Sequence, residues 1–331
     1  MIWLQFLICA AVILYSGTRL SEYGDVIAEK TGMGRTWIGV VLMASVTSLP
    51  ELVTGITSVA VYDLPNIAAG DVLGSCMFNL LLLGMLDLKR DGSPLSVLAH
   101  PGQILSAAFG VLLLGMTAVG ILVGGTMPAW GWIGIYSPAL LVVYLIAMRL
   151  VFSYEQRRIA EFLTEVAEPL QYGGVSSATA YGRFGLHALV IVAAATYLPH
   201  VGEEIAAITG LGKTFVGSIF IALSTSLPEV VVSRAALRIG AVDLAVGNIL
   251  GSNLFNIGIL AIDDIFYAKG PLLGQISSSH TVTAIAAMAM TAIMIIALAY
   301  RSPKRVLFFT WDALGIALIF GLATFLLYTA R

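Results

Sequence analysis

Two five-residue segments hold the residues best able to do chemistry, Thr47-Ser48-Leu49-Pro50-Glu51 and Thr225-Ser226-Leu227-Pro228-Glu229. In each, Thr and Ser stand four and three positions before the Glu, so hydroxyls and carboxylate share one face of a helix. The proline removes a backbone donor from the carbonyl four residues back, which frees oxygens around 44–47 and 222–225. A carboxylate beside hydroxyl and carbonyl oxygens is half of a cage for a hard cation. Two such halves suit Ca2+, which takes about 6–8 oxygen ligands. No cluster of His or Cys points to a softer metal.

A second pair of segments adds polar groups. Gly-Asp-Val-Leu-Gly-Ser-Cys-Met-Phe-Asn (70–79) and Gly-Asn-Ile-Leu-Gly-Ser-Asn-Leu-Phe-Asn (247–256) agree at six of ten positions. Each places a Ser and an Asn four apart on one helical face, Ser75 with Asn79 and Ser252 with Asn256. Glycines 70, 74, 247 and 251 serve either close helix contact or local unwinding. Asp71 stands where the other segment has Asn248, and either adds charge to the cavity or serves a vestibule or structural role.

The elements that must position these residues are membrane helices. Of 331 residues, 59% are hydrophobic and 11% charged, with a mean hydropathy of +0.95; soluble domains carry about 25% charged residues. Apolar runs near the ~20 residues needed to cross a bilayer recur at 2–27, 35–61, 65–87, 103–123, 129–149, 184–207, 213–239, 242–264, 277–299 and 307–329. The first is read as a retained span, since no basic region precedes it. Glu51 and Glu229 fall inside such runs, where an ionisable group costs ~2.5 kcal/mol or more unless paired or metal-bound. Freed carbonyls at that depth must line a cavity or be buried in protein.

The segments are parts of a longer repeat. At an offset of 178, residues 32–51 match 210–229 at ten of twenty positions. An odd number of spans per copy makes the second copy enter from the opposite side, as in secondary transporters. The expected fold is all-α and integral to the membrane: ten spans in two inverted five-helix repeats, with helices broken at the midplane. Residues 1–150 form the first repeat, 151–182 a cytoplasmic linker and 183–331 the second repeat. With both termini outside, thirteen Lys and Arg fall on the inner side against Lys213, Lys269 and Arg331 outside, as the positive-inside rule requires.

Other candidates receive ordinary roles. Asp243 reads as a helix N-cap or a solvated end, and Asp263 and Asp264 as solvated. His100, His187, His200 and His280 do not recur in register and read as interfacial or packed. Cys9 and Cys76 read as packed free thiols. The net charge of −2 suggests no nucleic-acid partner.

At the Glu segments and the Gly-Ser-x-x-Phe-Asn segments the chain resembles the cation/calcium exchanger superfamily, most closely the prokaryotic sodium/calcium exchangers. Its two alpha-repeats correspond to 39–79 and 217–256. The resemblance implies antiport, with Na+ moving down its gradient to drive Ca2+ out, and with no cofactor or obligatory protein partner. It implies calcium ligands at Glu51, Glu229, Thr47 and Thr225, the two threonines through backbone oxygens. It implies sodium ligands at Ser48, Ser75, Ser226 and Ser252, the carbonyls of Ala44 and Ala222, and the same two glutamates. Asn79 and Asn256 complete the centre. Asn256 stands where potassium-dependent members tend to carry Asp, and Asp71 and Cys76 depart from the usual Gly-Asn and Gly-Ser-Asn. The location implied is a prokaryotic inner membrane. The alternatives are a proton-coupled divalent-cation exchanger and a passive cation channel. No Gly-x-Ser-x-Gly, His-Glu-x-x-His or paired-Asp protease motif supports an enzyme.

Overall fold

The computed structural model describes residues 1–30, 45–88, 93–162, 175–306 and 309–330. Its helices are α1 (Ile2–Lys30), α2 (Leu49–Ala60), α3 (Pro65–Leu88), α4 (Gln103–Val123), α5 (Tyr136–Phe162), α6 (Ser177–Thr209), α7 (Lys213–Thr225), α8 (Leu227–Arg238), α9 (Val242–Phe266), α10 (His280–Tyr300) and α11 (Trp311–Thr329). Among the described residues the regular structure is helical apart from two short hairpins, Ala129–Trp130 with Ile133–Gly134 and Arg305–Val306 with Phe309–Thr310. Among the described residues seven helices are long and apolar enough to cross a membrane, namely α1, α3, α4, α6, α9, α10 and α11. An eighth appears if α7 and α8, which meet at 43°, are taken as one broken span. Leu49–Ala60 and the apolar part of α5, Tyr136–Val151, are shorter.

Boundaries shift where turn chemistry intervenes. The apolar run from 129 opens with a hairpin, because Gly131 takes a left-handed φ of +67° there, and helix begins only at Tyr136. The run from 307 likewise starts as helix at Trp311, where the Thr310 hydroxyl accepts the Ala313 N–H. The start of the 151–182 linker continues α5 to Phe162, and 163–174 lie outside the described residues.

Two packing units emerge. The main apolar cluster joins α3, α4, α9 and α10 through residues such as Leu73, Met77, Leu113, Ile257, Leu260 and Met290. A second unit forms where α1 lies along α6, with Ile2, Phe6 and Ile13 against Leu198, Val201 and Ile205. In lipid, burying apolar surface between helices gives little drive, and close approach at small residues does the work instead. Gly70 and Gly74 of α3 provide it: a Cβ on Gly70 would stand 2.9 Å from the Gly217 backbone, and one on Gly74 would collide with Ser218. This is the close-contact use of those two glycines. Gly17 of α1 provides the same service over the α7–α8 break, where a Cβ would lie 2.5 Å from the Pro228 ring.

Turns at register-equivalent places are built alike. Asp63 and Gly240 both take positive φ, +56° and +80°, before α3 and α9. The Asn66 side chain accepts from Ser277 N at 2.7 Å, and Asp243 accepts from His100 N at 2.6 Å. Asp87 accepts from Leu95 N, and Asp264 from Leu272 N, each eight residues on. With the offset of 177 these are one set of contacts made twice.

These contacts correct three expectations. Asp243 is not an N-cap; Ala241 holds that place, and Asp243 in the first turn of α9 holds the loop before α4. Asp263 and Asp264 are not solvated, because the 133–137 segment and the turn before Leu272 cover the end of α9. Asp264 accepts from Gly134 N, Tyr136 OH, Ser137 Oγ and Leu272 N at 2.6–2.8 Å. Cys9 and Cys76 are buried free thiols as expected. His187 packs on Tyr15 and Tyr23, and His200 on Tyr62 and Tyr197.

Candidate functional site

Both Thr-Ser-Leu-Pro-Glu segments break their helices at the serine. Ser48 and Ser226 take nearly equal non-helical angles, φ −85° and −82°, before α2 and α8, and Pro50 and Pro228 occupy the first turns. Proline is at home there because the first turn needs no intrahelical donor. Each glutamate consequently lies in a first turn, where the helix dipole favours negative charge. Immediately before its break, α7 contains a π-helical stretch, Gly217–Ile221, of the kind that often marks functional sites.

The breaks bring the two segments together. Ser48 donates to Glu229 Oε1 at 3.2 Å, and Ser226 donates to Glu51 Oε1 at 3.1 Å, so each serine serves the other segment's carboxylate. Thr47 Oγ1 lies 3.4 Å from Ser252 Oγ, and Thr225 Oγ1 lies 3.5 Å from Ser75 Oγ. Ser75 Oγ is also 3.4 Å from Glu51 Oε1 and from the Ala222 carbonyl. The Ala222 carbonyl is not left idle by the break, since it also accepts from Ser226 N at 3.1 Å. Ala44 lies outside the described residues.

Thr47, Ser48, Glu51, Ser75, Asn79, Ala222, Thr225, Ser226, Glu229, Ser252 and Asn256 are all fully buried. Glu51 Oε2, Glu229 Oε2, Asn79 Oδ1 and both side-chain polar atoms of Asn256 have no hydrogen-bond partner. No Lys or Arg pairs with either glutamate among the described residues. Buried oxygens left idle in this number are costly unless a ligand satisfies them. Two carboxylates with amide and hydroxyl oxygens match a hard cation.

The two halves of this centre differ. Asn253 of α9 donates to the Cys76 carbonyl at 3.1 Å and accepts from Asn79 Nδ2 at 3.0 Å, which leaves the Asn79 oxygen idle. Cys76 stands at the equivalent place on α3, with its thiol 3.8 Å from the Asn253 carbonyl and beside the Asn256 side chain. Asp71 is drawn in by Thr225, whose hydroxyl donates to Asp71 Oδ1 at 2.7 Å, and Asp71 Oδ2 is idle. Sequence reasoning missed Asp263, a fully buried carboxylate with two idle oxygens. A signal existed, since the repeat continues past Asn79 and Asn256 and sets Asp263 against Leu86.

The family model described as sodium/calcium exchanger protein matches residues 1–153 and 179–330. Inner membrane protein YrbG of Escherichia coli is 28% identical over 75% of this chain and 74% of its own length. A putative antiporter, CaxA of Alkalimonas amylolytica, is 28% identical over 76% of each chain. Sodium/calcium exchanger MaX1 of Methanosarcina acetivorans is 39% identical over 25% of this chain and 24% of its own. Among solved structures, the sodium-calcium exchanger NCX_Mj superposes with a TM-score of 0.63 at 21% identity, covering 98% of both chains. YfkE gives 0.68 at 15% identity over 98% of this chain and 92% of its own. The paired glutamate segments, the fold and the family model over nearly the whole length agree, and this chain belongs to the sodium/calcium exchanger family, whose members are membrane transporters.

Proposed function

We propose that this protein is a secondary antiporter that exports Ca2+ against Na+ influx, with both ions taking turns at one Glu51–Glu229 centre. The observation that carries this reading is the reciprocal pair Ser48 to Glu229 and Ser226 to Glu51, with the other oxygen of each carboxylate idle. Two charges balance one Ca2+ or two Na+, so ions of either kind neutralise the site. With neither, a buried dianion resists reorientation, because desolvated like charges are costly. Exchange rather than leak follows from that cost.

Glu51, Glu229, Thr47 and Thr225 are the calcium ligands in this reading. Ser48, Ser75, Ser226, Ser252, Ala44 and Ala222, with the two glutamates, hold sodium, and Asn79 and Asn256 close the centre. The ten-span inverted architecture, with the repeats at 1–150 and 183–331 and both termini outside, is part of the proposal. Its support is the pairing of contacts, Asn66–Ser277 with Asp243–His100 and Asp87–Leu95 with Asp264–Leu272. Alternating access is assigned to the α1–α6 pair. It packs in an apolar cluster apart from the main one, shared with Ile67 of α3 and Val216 and Ile221 of α7, and bears on the centre through Gly17 over Pro228 and through Thr54 Oγ1, which donates to the Ala195 carbonyl at 3.4 Å.

The test is Ca2+ uptake by purified protein in liposomes. An outward Na+ gradient should drive uptake, and dissipating it should stop uptake. Uptake indifferent to Na+ but driven by a pH gradient would replace this reading with proton coupling, and conductance without a counter-ion would replace it with a channel.

A further inference from the structure

The halves differ most on the side of the centre toward Asp63 and Lys269, whose side chains meet at 2.6 Å and join the turn after α2 to the turn after α9. Four positions there break the repeat together. Gly55, Ser58, Asp71 and Asp263 stand where the other half has Ser233, Ala236, Asn248 and Leu86. The second set is neutral: Asn248 Nδ2 donates to Ser233 Oγ at 3.2 Å, Ser233 donates to the Ala245 carbonyl at 3.4 Å, and of its polar atoms the Asn248 Oδ1 alone is idle. In the first set Ser58 Oγ, Asp71 Oδ2 and both Asp263 carboxylate oxygens are buried with no partner.

Gly55 makes room for this arrangement. The Asp263 oxygens lie 2.5 and 2.6 Å from where a Gly55 Cβ would be, so any larger residue would expel the carboxylate. Ser58 follows Gly55 by three positions and shares its face of α2. The charges acting on Asp263 are Asp71 of α3 and the adjacent Asp264. Asp264 is already saturated by its four donors. Counted along the helices at ~1.5 Å per residue, Asp263 lies roughly 5 Å, Asp71 roughly 9 Å and Glu51 roughly 14 Å from the helix ends at this face. Asp71 is joined to the centre through Thr225.

We propose that Asp263 and Asp71, with Ser58 as a neutral oxygen, form a second cation site through which a divalent cation passes between this face and the Glu51–Glu229 centre. Two carboxylates of like sign in a dry site are retained at high cost unless a cation offsets them. Their two charges match one divalent ion, and hydroxyl and carboxylate oxygens are the donors such an ion takes. The other half has the neutral set, so the site exists on one side only. The inference rests on the reading of Glu51 and Glu229 as the transport centre.

Equilibrium binding of radioactive Ca2+ to the purified full chain tests it. Wild type should saturate at two Ca2+ per chain, Asp263→Asn at one, and Glu51→Gln should keep the Asp263-dependent ion. One Ca2+ in the wild type overturns the second site without touching the centre, and needs no variant to fold. Two in Asp263→Asn also overturns it. Two in Glu51→Gln instead removes the reading of the centre.

Discussion

The half of the centre built on Glu229 and the half built on Glu51 share their glutamates, serines and threonines, differ at Asn253 against Cys76, and part company further one helical turn outward. Around Glu229 the flanking set is neutral, with Asn248 donating to Ser233, Leu86 in the place of Asp263, and the Asn248 amide oxygen alone idle. Around Glu51 the same places hold Gly55, Asp71 and Asp263, and three carboxylate oxygens have no donor. The contrast separates two requirements. The serines and glutamates that meet across the centre are matched, because each serine serves the opposite glutamate; Cys76 and Asn253, and the residues that flank the centre, diverge. A buried carboxylate without a partner is expensive, and the divalent cation proposed for Asp263 and Asp71 would offset that cost.

The sharpest way to break this comparison is to remove charge where the halves agree. Glu51→Gln and Glu229→Gln should each reduce Na+-driven Ca2+ uptake in liposomes to the protein-free background, with the protein still monodisperse by size-exclusion chromatography. Unequal loss would mean that the Asn253–Cys76 difference reaches the glutamates as well. Next comes the end of α9, where Asp264 gathers four donors while Asp87 takes the equivalent backbone contact on the other side. Asp264→Asn should destabilise by about 3 kcal/mol in detergent melts, since charge-assisted hydrogen bonds contribute roughly 1.5–3 kcal/mol each.

Exchanging flanking residues sharpens the contrast further. Gly55→Ser forces a side chain onto the Asp263 carboxylate and should cost ~1–3 kcal/mol as overpacking. The reverse exchange, Ser233→Gly, only strands the Asn248 amide and should cost about 1 kcal/mol. Equal melting temperatures for the two would remove the steric account of Gly55.

The smallest effect belongs to the surface bridge. The hydrogen bond from Lys269 holds the Asp63 carboxyl below the usual carboxylate range, and Asp63 holds the Lys269 ammonium above its ordinary value. A depressed carboxyl stabilises above its unfolded value of about 4 and loses that contribution as pH falls through its folded value. The raised ammonium stabilises below about 10 and loses its contribution as pH rises through its folded value. Asp63→Asn should therefore melt slightly below wild type at pH 7, and the gap should close on acidification below about pH 4. Both groups are exposed, so a large gap would mean that the bridge does more than join two turns.

The membrane class was legible in the residues alone, as were the repeated segments and the residues proposed for the centre, because these rest on local chemistry. A proline and a glutamate inside an apolar run break the helix and demand a ligand wherever the helix packs. The same twenty-residue pattern occurring twice announces its own partner. Only the tertiary structure decided what lies around them. Asp263 and Asp264 are adjacent and read alike as solvated helix-end acids, yet one is capped by four donors and the other faces a glycine on a different helix. Asp243 reads as a cap and instead holds a loop more than a hundred residues away. Whether an acid at a helix end meets water, a backbone N–H or another carboxylate depends on which element covers that end, and covering elements come from distant parts of the chain.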